Sequence, residues 1–135
     1  MAVVLLIGSD GPLLEGLSQL LVSAGHAVQI ARTVDDGLEL AHASPPLVAL
    51  VERELAAVDS RTLRLPLASG GALLLFRHTA DGTPVLAPAF GRAALADLAL
   101  PLERHRLVTL VGRVAERARA AGRERGGTPP ERTAR

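Results

Sequence analysis

Three short apolar runs constrain this chain more than any other feature: residues 2–7 (AVVLLI), 27–31 (AVQIA) and 47–51 (LVALV). The first and third contain no polar residue, so neither offers a face suited to water. A run of that length without alternation is what a strand buried on both faces requires, and such strands belong to parallel sheets covered by helices on each side. The stretches between them carry the helical period instead. Leu13, Leu14, Leu17, Leu20 and Leu21 recur at helical spacing after Gly8-Ser9-Asp10-Gly11-Pro12. Pro12 suits a first helical turn, and Asp10 is placed to cap it. Gly25 stops that helix. Thr33, with Asp36 three residues on, resembles a capping box in which Asp replaces Glu. Leu38 and Ala41 give the second helix its apolar side, with Leu40 beside them, and Ser44-Pro45-Pro46 ends it. The sum is a β-α-β-α-β run with short connections, which predicts an α/β fold with a doubly wound parallel sheet and right-handed crossovers.

The second half is less regular. Pro66 lies inside residues 59–69 and limits any helix there to a turn or two. Residues 72–76 (ALLLF) predict a fourth strand. Gly82, Pro84 and Pro88 make the following stretch irregular, with a short helix expected over 90–95. Residues 98–100 predict a short fifth strand before Pro101. Over 103–121, Leu107, Leu110, Val111, Val114 and Ala118 share one helical face. From Gly122 the chain reads GRERGGTPPERTAR, with no apolar anchor. The expected organisation is one domain over residues 1–121 and a flexible Arg/Gly/Pro tail over 122–135.

Composition removes several function classes. Two Phe are the only aromatic residues of the 135, so stacking on bases or sugars has almost nothing to work with. There is no Cys, which excludes disulfides, thiolate catalysis and thiolate metal sites. The four His (26, 42, 78 and 105) show no metal-ligand spacing. No Ser stands in a nucleophile elbow, so a hydrolase is not supported. The apolar runs fall far short of the roughly 20 residues of a membrane span. The start lacks a basic region and a small-residue cleavage site, so a cytoplasmic location is expected. All 15 basic residues are Arg, and the chain contains no Lys. Residues 1–112 hold 8 Arg against 11 acids, and residues 113–135 hold 7 Arg against 3 acids, so the basic character belongs to the end of the chain.

VLLIGSDGPLLEGLSQLL, GHAVQIARTVDDGLELA and PPLVALVE resemble the first half of a response-regulator receiver (CheY-like) domain of a degenerate, pseudo-receiver type. The resemblance spans about residues 1–120 and is looser in the second half. It implies a flavodoxin-like five-stranded parallel sheet of order 2-1-3-4-5. It also implies a role in two-component or phosphorelay signalling, carried out by protein–protein contact. In this family an acidic pair after the first strand holds Mg²⁺, an Asp ending the third strand accepts the phosphoryl group, a Thr or Ser ends the fourth strand, and a Lys-Pro pair follows the fifth. Here Ser9-Asp10 matches the acidic pair with one acid missing, and Glu52 matches the acceptor, or Val51 if the register slips by one. Thr79-Ala80 matches the fourth-strand pair, and Leu100-Pro101 matches Lys-Pro with Leu for Lys. Asp97 or Leu98 stands where the family carries an aromatic switch residue.

These losses have chemical consequences. Acyl phosphate formation needs an in-line carboxylate, an oxygen-held divalent ion and cations around the transferring group. Ser9 removes a metal-site charge, and Leu100 removes the cation that would meet the phosphoryl oxygens. The Glu52 carboxylate is one methylene out, and misplacement of about 1 Å costs on the order of a hundredfold in rate. The expectation is a degenerate pocket of Ser9, Asp10, Glu52, Thr79 and Leu100 with no catalysis. No cofactor is expected; Asp10 is the one candidate for a residual Mg²⁺ ligand, set against its service as a helix cap. Glu52 is either a fixed negative charge that mimics the phosphorylated state or a loop carboxylate paired with Arg53 or another Arg. The resemblance implies a docking face built from the family's penultimate helix, last strand and last helix, here Arg92, Leu98, Arg104, Leu107, Val108 and Val111. The partner it implies is another signalling protein or a second copy of the chain. A phosphorylatable receiver, a nucleotide or small-ligand domain using Gly8–Pro12, and nucleic-acid binding by the Arg-rich end are the competing readings; neither a membrane nor a nucleic-acid partner is expected.

Overall fold

A computed structural model describes residues 2–78 and 92–126. Five strands, β1 (Val3–Ile7), β2 (Ala27–Ala31), β3 (Val48–Glu52), β4 (Ala72–His78) and β5 (Ala94–Leu100), form one sheet. All neighbours pair in parallel, in the order β2-β1-β3-β4-β5. The connecting helices are α1 (Gly11–Ser23), α2 (Val34–Ala43), α3 (Arg53–Val58) and α4 (Arg104–Gly126), with a 3-10 segment at Ser60–Arg64. This is the CheY-like architecture and strand order that the sequence and its resemblance imply.

Both faces of the sheet are covered, and the two-residue side-chain period of a strand sorts the apolar runs between them. Val4, Leu6, Leu50, Leu74 and Phe76 meet Leu14, Leu17 and Leu21 of α1 and Leu107 and Val111 of α4. Leu5, Ile7, Ala49, Val51 and Leu75 meet Ala41 of α2, Ala56 of α3 and Leu65. Residues 4–7 and 48–51 are apolar at every position because each position enters one core or the other. α2 lies so close to β1 that a Cβ on Gly37 would collide with the Cδ1 and Cγ1 atoms of Ile7.

The second half departs from expectation in several places. A helix, α3, follows β3 directly, where none was expected. The segment before Pro66 is one short 3-10 stretch, and Leu65 is extended, as a residue preceding proline prefers. β4 runs on to His78, and β5 begins at Ala94, because pairing with β4 overrides the mixed polarity of these residues. Ala94 and Leu95, expected at the end of a short helix, are therefore strand residues, with a register shift between Leu73 and Leu74 that leaves Leu95 without a partner in the ladder. Phe90 lies outside the described residues. α4 continues to Gly126, beyond the expected start of the tail at Gly122, and the Arg and Glu of this stretch are good helix formers.

The start of the chain is held by the Ala2 N–H, which donates to Nδ1 of His26 at 3.2 Å. Burial, and then the charge of the chain's amino terminus, holds the His26 imidazole below its ordinary value of 6.5. The folded state thus favours the neutral ring, so this contribution is present above about pH 6.5 and is lost as the pH falls through the lower folded value. Between pH 7 and pH 5 the melting temperature should fall, and His26→Gln, which keeps an acceptor that does not titrate, should flatten that slope. Gly37→Ala should cost about 1–3 kcal/mol in urea unfolding, because a buried Ile7 must give way.

Candidate functional site

Sheet order reverses between β1 and β3: β1 leads outward to β2, whereas β3 leads the other way. In open α/β sheets the crevice at such a switch point, beyond the carboxyl ends of the strands, is where ligands bind. Ser9 and Asp10 leave β1 here, and Glu52 ends β3 here.

The Glu52 carboxylate is already engaged. Its Oε1 accepts hydrogen bonds from the Ser9 N–H at 3.2 Å and from the Ser9 Oγ at 3.1 Å, and the same hydroxyl lies 3.1 Å from Oε2. Gly8 allows the approach: a Cβ there would lie 3.0 Å from Phe76 Cζ and 3.5 Å from Glu52 Oε1. Val51 is fully buried on the α2–α3 side, so Glu52 and not Val51 faces the crevice. Arg53 does not pair with Glu52, as one reading of the sequence had it; it forms an ion pair with Asp97 of β5. Burial, and then the charge of Arg77, lowers the Arg53 pKa from its ordinary value.

Asp10 is the N-cap of α1 and accepts from the Leu13 N–H at 3.1 Å. Asp10 and Glu52 nonetheless line one cleft of about 360 Å³, with Ser9, Leu13, Glu54, Phe76 and His78. Three carboxylates and an imidazole thus line one cleft, yet among the described residues no group of three or more His, Asp or Glu is arranged to hold a metal ion. With Asp10 capping a helix and Glu52 taking hydrogen bonds from Ser9, the donor set does not fit the divalent ion of a working receiver site.

Arg32 was not anticipated. It directly follows β2, and its guanidinium donates to the Ser9 carbonyl oxygen. It also lies against Gly11, where a Cβ would sit 2.8 Å from Nη1. An Arg immediately after a strand that ends at the same sheet edge was the available signal.

Leu100 is fully buried in the α1–α4 core and brings no charge to the sheet's carboxyl edge. The Leu100–Pro101 peptide is cis. Beyond it, Glu103 accepts from the Ala99 N–H at 2.8 Å, and that bond, more than the nearby Arg106, holds its carboxyl below the usual range. Of the aromatic-switch candidates, Leu98 is in the core and Asp97 faces the α3 side of the sheet. Thr79 lies outside the described residues.

The expected docking face needs correction. Leu98, Leu107 and Val111 are fully buried, and Val108 is half-buried against the same core. Their spacing marked the apolar face of α4 and the inward side of β5, which the sheet covers; apolar periodicity reports burial first. Arg92 and Arg104 are exposed, as are Leu95 and Leu102. Arg104 borders a groove of about 700 Å³ beside α1, shared with Leu13, Leu20, His78 and Pro101. None of the described helices is long and apolar enough to cross a membrane.

Solved receiver domains share this fold. A CheY-like response-regulator receiver domain from Methanospirillum hungatei superposes with a TM-score of 0.70 at 17% identity, covering 89% of this chain and 98% of that one. The chain has the receiver fold. A putative response regulator from Chloroflexus aurantiacus matches at a TM-score of 0.66 and 22% identity over 84% of this chain and 96% of that one. The pseudo-receiver domain of the CikA protein matches at 0.62 and 19% over 85% and 98% respectively. No protein-family model matches the sequence, and no curated protein does.

Ser9→Asp should set a second acid against Glu52 and destabilise the receiver fold by about 1–2 kcal/mol. Millimolar Mg²⁺ should recover part of that loss in a thermal melt, whereas the wild-type melting temperature should not respond to Mg²⁺.

Proposed function

We propose that this chain is a pseudo-receiver: a signalling domain of the cytoplasm that acts by docking onto another signalling protein, without aspartyl phosphorylation and without catalysis. The observation that carries this reading is the pair of groups on Glu52, the Ser9 amide and the Ser9 hydroxyl. Phosphoryl transfer to a carboxylate needs a free oxygen in line with the phosphorus, and charge on the equatorial oxygens must be met by cations. Here both Glu52 oxygens take hydrogen bonds, Asp10 caps a helix, and Leu100 supplies no charge. The likeness to a pseudo-receiver domain supports the same conclusion.

In this reading Glu52 supplies a constant negative charge and Ser9 holds the β1–α1 turn against it. The domain then presents one surface regardless of phosphodonor. The exposed Leu102 and Arg104 at the β5–α4 junction are the proposed contact region for the partner or for a second copy, with Arg92 and Leu95 exposed at the other end of β5.

Incubation with acetyl phosphate and Mg²⁺, followed by intact mass measurement, should show no phosphoryl adduct on the chain. Stoichiometric labelling that maps to Glu52 or Asp10 would replace this reading with that of a working phosphoacceptor.

A further inference from the structure

Arg53 begins α3, and its side chain is only 12% exposed, which is unusual for a guanidinium. Its partner, Asp97, belongs to β5, a strand that does not neighbour β3 in the sheet. The ion pair therefore reaches across β4, and it joins positions 44 residues apart in sequence.

The surroundings make the pair consequential. Asp97 is in register with Leu75 of β4, and Arg77 follows on the same side of that strand. The Arg77 charge bears on Arg53, so two guanidinium groups share this side of the sheet with the Asp97 carboxylate. Removing the carboxylate takes a negative partner from a largely buried guanidinium, which costs more than an ordinary surface pair returns. β5 is also the end strand of the described sheet and is hydrogen-bonded to β4 alone. The pair stands three residues before Leu100, where the strand passes into the Glu103-anchored turn and α4.

We propose that the Arg53–Asp97 ion pair is a conformational latch: it ties the first residue of α3 to β5 and so fixes the carboxyl edge of the sheet, from Glu52 to the β5–α4 junction, in one arrangement. Glu52 is held on one side by Ser9, and its neighbour Arg53 is held on the other by Asp97. The two anchors act on adjacent residues and in opposite directions along the sheet. The inference deepens the docking reading by naming what makes the docking surface constant, but it concerns the isolated chain and needs no partner.

Amide hydrogen exchange on the full chain tests it, with Asp97→Asn removing the charge and little volume. Exchange over residues 52–58 and 94–100 should rise by about tenfold or more, while β1 and β2 change by less than about threefold. Asp97→Glu, which keeps the charge, should stay near wild type in all four segments, and it carries the test if the Asn variant fails to fold. An Asn variant with wild-type exchange, a rise spread evenly over every strand, or an Asp97→Glu variant as unprotected as a neutral one would each overturn the latch. Phosphoryl labelling of Glu52 would overturn the docking reading while leaving this exchange pattern untouched, so the two fail separately.

Discussion

The hydrogen bonds that Ser9 donates to Glu52 are the constraint on which the carboxyl edge of this sheet depends. A carboxylate at a strand end must be met by something. In a site with further acids beside it, only a cation restores the balance, because like charges at close range disfavour each other's ionisation. A serine in that place changes the arithmetic. Its hydroxyl and amide donate to Glu52 without adding charge. Arg32 completes the arrangement by holding the carbonyl of the same serine. The β1–α1 turn is thus fastened by its amide, its hydroxyl and its carbonyl at one residue.

The rest of the edge is consistent with a site closed by its own side chains. Asp10 is spent on the first turn of α1, and Leu100 belongs to the core that α1 and α4 share. Asp97 is drawn to Arg53 rather than left to solvent. Each residue that differs from a phosphoacceptor pattern has taken up a structural partner, so the differences are linked. Reinstating one charge would disturb the partner of another.

Much of the fold was legible because buried parallel strands leave an unmistakable record. Residues 2–7 and 47–51 are apolar throughout because both faces of the sheet are covered, and Gly25 and Pro66 punctuate the helices for local steric reasons. The caps at Asp10 and Thr33 were readable because a short polar side chain there can accept from an amide three residues on. What escaped depends on contacts distant in sequence. The extension of β4 through Arg77 and His78 is set by pairing with β5, and the beginning of β5 at Ala94 is set by β4 in return. The Arg53–Asp97 and Arg32–Ser9 contacts join residues 44 and 23 positions apart, and no local pattern announces them. The sequence named Ser9, Asp10, Glu52 and Leu100 as one edge, but left the choice between Val51 and Glu52 open, since a one-residue slip reverses which face a strand residue takes. The docking face was misread because Leu107 and Val111 are periodic for the core's sake, not for a partner's.

The central claim is that Glu52 is already engaged by Ser9 and does not take a phosphoryl group. The most direct measurement is the amide spectrum of the ¹⁵N-labelled chain titrated with beryllofluoride and Mg²⁺, a phosphoryl mimic that needs a free carboxylate oxygen and a metal. The account predicts that the Gly8, Ser9, Glu52 and Arg53 resonances stay where they are. A saturable shift of these four signals would contradict it, because it would mean that the Ser9 hydroxyl yields its place and the crevice can still be filled.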